Sequence, residues 1–141
     1  MVKYKRICYN LYYIKWGGIT SKVKIKTTLI INNQKEEKEL NGIIQDNIIK
    51  FIDKPYKTTF NYNTNTLINE SDETRLEIKF DLDKTTSNYL LKNYNQEASF
   101  SIVTKKITKD NYNIDIEYII LDTNEEFNYR IEVIEWVLLK N

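Results

Sequence analysis

The side chains best placed to do chemistry in this chain are aromatic. Phe60, Tyr62, Phe80, Tyr89, Phe100, Tyr118, Phe127 and Tyr129 fall on, or next to, one side of successive alternating segments. Rings gathered on one face of a curled sheet either fill its centre or wall a pocket for one small molecule. Tyr62, Tyr89, Tyr118 and Tyr129 bring hydroxyls to that face, and Thr104 adds one more. The chemistry such a set supports is recognition: flat apolar walls with a few hydroxyl donors and acceptors. The candidate ligand-binding residues are therefore Tyr62, Phe80, Tyr89, Phe100, Thr104, Tyr118 and Tyr129, for a small, partly apolar ligand. The competing reading is that the same rings are solid core.

Catalytic constellations are missing. The 141 residues contain no His, so the usual general base and nucleophile activator is absent. Cys8 is the one thiol, which excludes an internal disulfide and leaves no zinc or iron–sulfur ligand set. Gly17, Gly18 and Gly42 form no phosphate-cradling loop. No carboxylate stands alone in an apolar run, where burial would raise its pKa for acid–base work. Asp81, Asp83, Asp110 and Asp122 lie near turns and are expected to cap backbone N–H groups. No Asp-x-Asp-x-Asp-Gly calcium loop occurs. The expectation is a protein that is not an enzyme, with no metal and no cofactor.

Charge narrows the partners. Basic and acidic side chains number 21 and 20, a balance that argues against bulk electrostatic binding to nucleic acid or membrane. Aromatics interleaved with lysines invite a single-strand nucleic-acid reading, but the acidic closing strands offset the basic first one. No apolar run is long enough to span a bilayer and no signal-peptide pattern is visible. The single Cys suits a reducing compartment, so a cytoplasmic location is expected. Ile, Lys, Asn and Tyr are abundant while Ala occurs once, the bias of an AT-rich bacterial genome. On that reading the many Asn are surface drift.

The elements that must position these residues are strands. Residues 1–21 stand apart: Lys3, Lys5, Arg6 and Lys15 are unaccompanied by acids, and Tyr4, Ile7, Cys8, Leu11 and Tyr12 recur at helical spacing. They read as a short basic helix or a poorly ordered extension. The domain is expected over 22–141. Val23, Ile25, Thr27, Leu29 and Ile31 alternate with Lys22, Lys24 and Lys26, and Asn32-Asn33 reads as a hairpin turn because Asn tolerates positive φ. Segments 37–45, 48–52, 58–62, 76–80, 89–91, 100–104 and 114–120 continue the period of two. In the last strand Phe127, Tyr129, Ile131 and Val133 share a face, but Trp136 and Leu138 fall on the other parity, so a bulge is expected near Val133-Ile134. Alternation of this kind predicts an all-β antiparallel barrel of about eight strands. Residues 1–31 carry seven bases and no acid, while 110–141 carry eight acids and two bases. First and last strands are therefore expected to pair, with Lys22, Lys24 and Lys26 beside Glu132 and its outward neighbours.

From about Val23 to Trp136 the order of motifs resembles the YwiB-like family of uncharacterised bacterial proteins. The motifs are Thr58-Thr59-Phe60, Leu76 to Phe80, Lys84-Thr85-Thr86, Tyr89, Phe100 to Thr104, Ile114 to Tyr118, and Phe127 to Ile134. The resemblance implies a calycin-type, lipocalin-like β-barrel and no established activity. The family's Arg-x-Gly is replaced here by Asn69-Glu70-Ser71, and its later turn glycine by Asn95 or Gln96. The leading functional expectation is a non-catalytic binder of a small, partly apolar ligand. The second is a structural or protein-interaction module with a filled barrel, exposing an apolar patch near Trp136-Val137-Leu138-Leu139 through which a homodimer would form.

Overall fold

A computed structural model describes residues 20–137. The helical spacing from Tyr4 to Tyr12, Cys8 and Leu138-Leu139 therefore lie outside the described residues. Thr20 and Ser21 already belong to the first strand, so the domain begins before the expected boundary at residue 22. Eleven strands follow in order: β1 Thr20–Ile31, β2 Gln34–Gln45, β3 Ile48–Asp53, β4 Tyr56–Asn61, β5 Thr66–Glu70, β6 Thr74–Lys79, β7 Thr86–Leu91, β8 Gln96–Ala98, β9 Ile102–Asp110, β10 Asn113–Ile120 and β11 Glu125–Val137. A single 3₁₀ turn, Lys92–Tyr94, precedes β8. The all-β expectation holds, with eleven strands in place of about eight. The additions are β5, where only Leu67 is a buried apolar residue, and β8, which is exposed throughout. Neither carries enough alternation to be read from sequence.

All eleven strands form one sheet in the order β8-β7-β6-β5-β4-β3-β2-β1-β11-β10-β9. First and last strands pair as charge asymmetry implies, with Lys24 opposite Glu135 and Lys26 opposite Glu132. The register jumps between Lys24 and Ile25, from Glu135 to Val133, and this shift at Ile134 is the expected bulge. Beyond it Trp136 returns to the inner face and packs against the core. Electrostatics at this seam differ from the expectation. Lys26 makes its ion pair with Glu37 on β2, at 3.4 Å, and not with Glu132.

The ladder does not close. β8 and β9 are the two edges and share no pairing, so the sheet is a strongly curled half-barrel. Residues 99–101 cross the slit, and side chains bridge it. The Ser87 hydroxyl accepts from the Phe100 N–H at 2.8 Å and donates to the Phe100 carbonyl at 2.9 Å. Next to it the hydroxyls of Thr85 and Thr104 hydrogen-bond to each other.

Asparagine makes the turns. Asn32, Asn33, Asn47, Asn65, Asn95, Asn111 and Asn124, with Asp46, all have positive φ. Asn32-Asn33 and Asp46-Asn47 each supply two such residues to a two-residue hairpin, the pattern of a type I′ turn. In a chain with three glycines, Asn is the residue whose side chain best tolerates this conformation. The abundance of Asn is therefore structural at seven positions, a correction to the reading of surface drift. Inside, Phe60, Phe80, Ile25, Ile49, Ile116 and Ile131 are almost wholly buried. Each contributes roughly 1.5–3 kcal/mol of burial.

Candidate functional site

Two neighbouring strands of unequal length create the site. β2 pairs with β1 along its whole length, from Gln45 opposite Thr20 to Gln34 opposite Ile31. It pairs with β3 only over Gly42–Gln45. From Gln34 to Asn41, β2 has therefore left β3, and the sheet forks. One interaction spans the fork: Lys38 Nζ donates to both carboxylate oxygens of Asp53, at 3.0 and 3.1 Å, and lies 3.3 Å from Glu36. Asp53 first, then Glu36, raise the Lys38 pKa above its ordinary value by hydrogen bonding to the ammonium. The pair is solvent-exposed, so screening by water leaves it a weak tie.

Beneath the fork lies a cavity of about 250 Å³. Glu36, Lys38, Asp53 and Tyr56 form its rim. Thr27 and Leu29 of β1 wall one side, and Phe51, Thr58, Leu67 and Asn69 of β3 to β5 the other. Tyr118 of β10 and Phe127 and Tyr129 of β11 make the back. Tyr118 and Phe127 are opposite in register and stack face to face, with centroids 4.9 Å apart and planes 2° from parallel. Phe80 supports Tyr118 from behind at 5.0 Å. On the far wall the Thr58 hydroxyl donates to Asn69 Oδ1 at 3.0 Å.

Two polar groups in the cavity are unused. Among the described residues, no hydrogen bond engages the hydroxyl of Tyr118 or of Tyr129. Burial pushes both tyrosine pKa values above the ordinary range, and at Tyr129 the neighbouring Tyr118 and the Asp53 carboxylate add to the effect. Both therefore stay neutral at physiological pH, each able to donate one hydrogen bond and to accept others. The arrangement offers an aromatic slot with two convergent hydroxyls.

Of the residues singled out from the sequence, Tyr118 and Tyr129 line this cavity, and Phe80 lies directly behind it. Tyr62 sits at the opposite end of the half-barrel, past the far end of β4. Its hydroxyl donates to the Tyr112 carbonyl at 2.9 Å, and its ring makes edge contacts with Phe60 and Tyr112. Lys109 Nζ caps the Tyr62 carbonyl at 2.9 Å, and Trp136 extends the cluster through Tyr112. Tyr89 and Phe100 meet at 6.1 Å beside the slit, and Phe100 is exposed. Thr104 is buried, its hydroxyl taken by Thr85. Val137 in the expected apolar patch is exposed, while Trp136 is partly buried.

Sequence reasoning missed Thr27, Thr58, Asn69 and the Lys38–Asp53 bridge as site residues. A signal was present. The turn at Asp46-Asn47 joins a strand of twelve residues to one of six, so the outer part of β2 has nothing on that side to pair with.

No protein-family model and no curated protein matches this chain. Among solved structures, the crystal structure of the YwiB protein from Bacillus subtilis overlaps 82% of this chain and 92% of its own, at 13% identity and a TM-score of 0.38. The YwiB protein is thus a structural match to most of this chain at low sequence identity, and it bears the name of the family that the order of sequence motifs resembles.

Proposed function

We propose that the curled sheet serves as a calycin-type cup that binds one small, partly apolar molecule and releases it unchanged. The observation that carries this reading is the pair of neutral hydroxyls, Tyr118 and Tyr129, facing a cavity of about 250 Å³ without a partner among the described residues. A packed core does not leave two tyrosine hydroxyls idle, because a buried polar group without a hydrogen bond costs roughly 1–3 kcal/mol. Access to the cavity lets water satisfy them in the empty state, and a ligand replaces that water.

Size sets the ligand class. An apolar cavity of ~150 Å³ accepts benzene, so this one has room for a molecule of one or two rings. Stacked Tyr118 and Phe127 supply a flat wall. The hydroxyls favour a ligand with one oxygen or nitrogen on its rim. The rim carries Glu36 and Asp53 against Lys38, which disfavours an anionic ligand.

The test is calorimetric titration and thermal shift with 2-naphthol, indole and benzoate. We expect 2-naphthol and indole to bind and stabilise the protein, and benzoate to fail. Tyr129→Phe should weaken 2-naphthol by up to about tenfold, the worth of one hydrogen bond. If none of the three stabilises the protein at millimolar concentration, or if Tyr129→Phe leaves 2-naphthol affinity unchanged, the reading fails.

A further inference from the structure

We infer that the outer face of β1 to β4 is a docking groove for an acidic polypeptide segment that carries aliphatic side chains. This groove shares Phe51 with the cavity beneath the fork, but its lysines and isoleucines belong to the groove alone, so the inference does not rest on a ligand in the cavity.

The sequence alternation that sends Val23, Ile44, Ile49 and Phe60 inward sends a row of different residues outward. Lys22 stands opposite Ile43, Ile43 opposite Lys50, and Lys50 opposite Thr59. In the next row Lys24 faces Asn41, and on β3 and β4 Ile52 faces Lys57. Lys54 joins from the turn that follows β3. These residues line a groove of about 1230 Å³.

Three features define the occupant. The first is charge. Lys22, Lys24, Lys50, Lys54 and Lys57 oppose only Glu39 in the lining, which leaves the groove at +4. The whole chain has a net charge of +1, so the remainder carries −3. Among the described residues none of these five lysines has a salt-bridge partner, whereas Lys26, Lys35, Lys38, Lys92 and Lys105 all do. Lys24 has Glu135 opposite it on β11 and Lys57 has Glu70 opposite it on β5, while Lys22 and Lys50 face no acid across a ladder. The excess of positive charge in the groove favours an anionic partner.

The second is the apolar content. Ile43 and Ile52 are 41% and 59% exposed between the lysines. Isoleucines offered to solvent inside a basic surface favour a partner that brings aliphatic groups along with its charge. The third is what the groove lacks. It has no arginine fork and no exposed ring, since its one aromatic residue, Phe51, is 4% exposed. Single-stranded nucleic acid would need a ring to stack on. A bilayer surface is too flat to enter a groove. The groove crosses the strands and takes in Glu39, Leu40 and Asn41, where β2 is not laddered to β3. An acidic segment with aliphatic side chains, laid across β1 to β4, satisfies both the lysines and the isoleucines.

The experiment is fluorescence anisotropy with the full chain and a labelled peptide of three Glu-Leu-Glu-Ser repeats. A Glu-Ser-Glu-Ser control, a thymidine oligonucleotide and phosphatidylserine vesicles are run beside it. We expect the Leu-containing peptide to bind best and to lose affinity as salt rises. Lys50→Glu/Lys57→Glu should weaken it by about tenfold or more, since two attractions become repulsions. Ile43→Ser/Ile52→Ser should reduce its advantage over the Ser control. Lys84→Glu, on the β6–β7 turn, should leave binding unchanged. All these side chains are exposed, and a urea melt of each variant confirms an unchanged fold. Absent peptide binding, equal binding by Lys50→Glu/Lys57→Glu, or tighter binding of the oligonucleotide or the vesicles would each overturn the inference.

Discussion

Removing the same oxygen from buried Tyr62 and from partly buried Tyr129 should have unequal consequences. Tyr62 is 6% exposed, and its hydroxyl donates to the Tyr112 carbonyl at 2.9 Å. In Tyr62→Phe that bond is lost and the carbonyl keeps only what water reaches a half-buried turn. A net hydrogen bond contributes about 0.5–1.5 kcal/mol and an orphaned buried acceptor costs about 1–3 kcal/mol. We therefore expect a loss of about 1–2 kcal/mol. For a chain of this length that lowers the melting temperature by roughly 3–4 °C for each kcal/mol. Tyr129→Phe removes a hydroxyl that no described residue engages. Here only hydration is lost, and stability should move by less than about 0.5 kcal/mol. Urea denaturation with an unchanged m-value reads both. If Tyr129→Phe costs as much as Tyr62→Phe, its hydroxyl is bonded inside the protein, the interior is solid, and the cup reading loses its main support.

Three further outcomes follow from the same geometry. Phe80→Ala should cost about 3–5 kcal/mol in urea denaturation, because the ring is 1% exposed and props the Tyr118–Phe127 stack. Asn47 has φ of 65°, so Asn47→Val should cost about 1–2 kcal/mol, while Asn47→Gly should be neutral or slightly stabilising by the same melt. Tyr62, Tyr118 and Tyr129 have folded pKa values raised above the ordinary 10.0, chiefly by burial. The unfolded chain therefore ionises first. Their contribution is whole below about pH 10 and declines above it by about 1.4 kcal/mol per pH unit for each tyrosine. Alkaline unfolding followed at 295 nm should release these three only as the fold opens, and ionisation of all tyrosines before unfolding would refute the burial.

What was legible in the sequence was local and periodic. Val23, Ile25 and Thr27 alternate with Lys22, Lys24 and Lys26, so β1 declares both its faces, and the burial pattern follows. In β11 the phase slip between Val133 and Trp136 marks a bulge because one extra residue reverses parity. The basic start and acidic end pointed to the β1–β11 seam. Phe100 shows where parity misleads. Counting back from Ile102 and Thr104 places it inside, yet β9 begins at Ile102, and Phe100 belongs to the crossing segment that Ser87 holds. Alternation says which way a side chain faces only while the backbone stays in a ladder. That the barrel stays open was not legible for a related reason. Closure depends on β8 and β9 meeting, and β8 has three exposed residues and no apolar face to draw it there.

The two departures from a regular barrel have different energetic weight. At the slit, the missing ladder is replaced by short side-chain bonds from Ser87 and by the Thr85–Thr104 pair, the latter partly buried. Three local bonds, one of them partly buried, tie the crossing segment and β9 to β7 and its turn at the slit. At the fork, nothing replaces the ladder between β2 and β3 except one exposed ion pair. Such a pair can break at little cost in the native state, whereas separating a ladder exposes several backbone groups at once. The fork is therefore the cheapest place on the half-barrel to open, and it lies directly over the cavity where Tyr118 and Tyr129 have hydroxyls to offer. A strand twice as long as its neighbour thus determines both where the cavity forms and where a ligand can enter it.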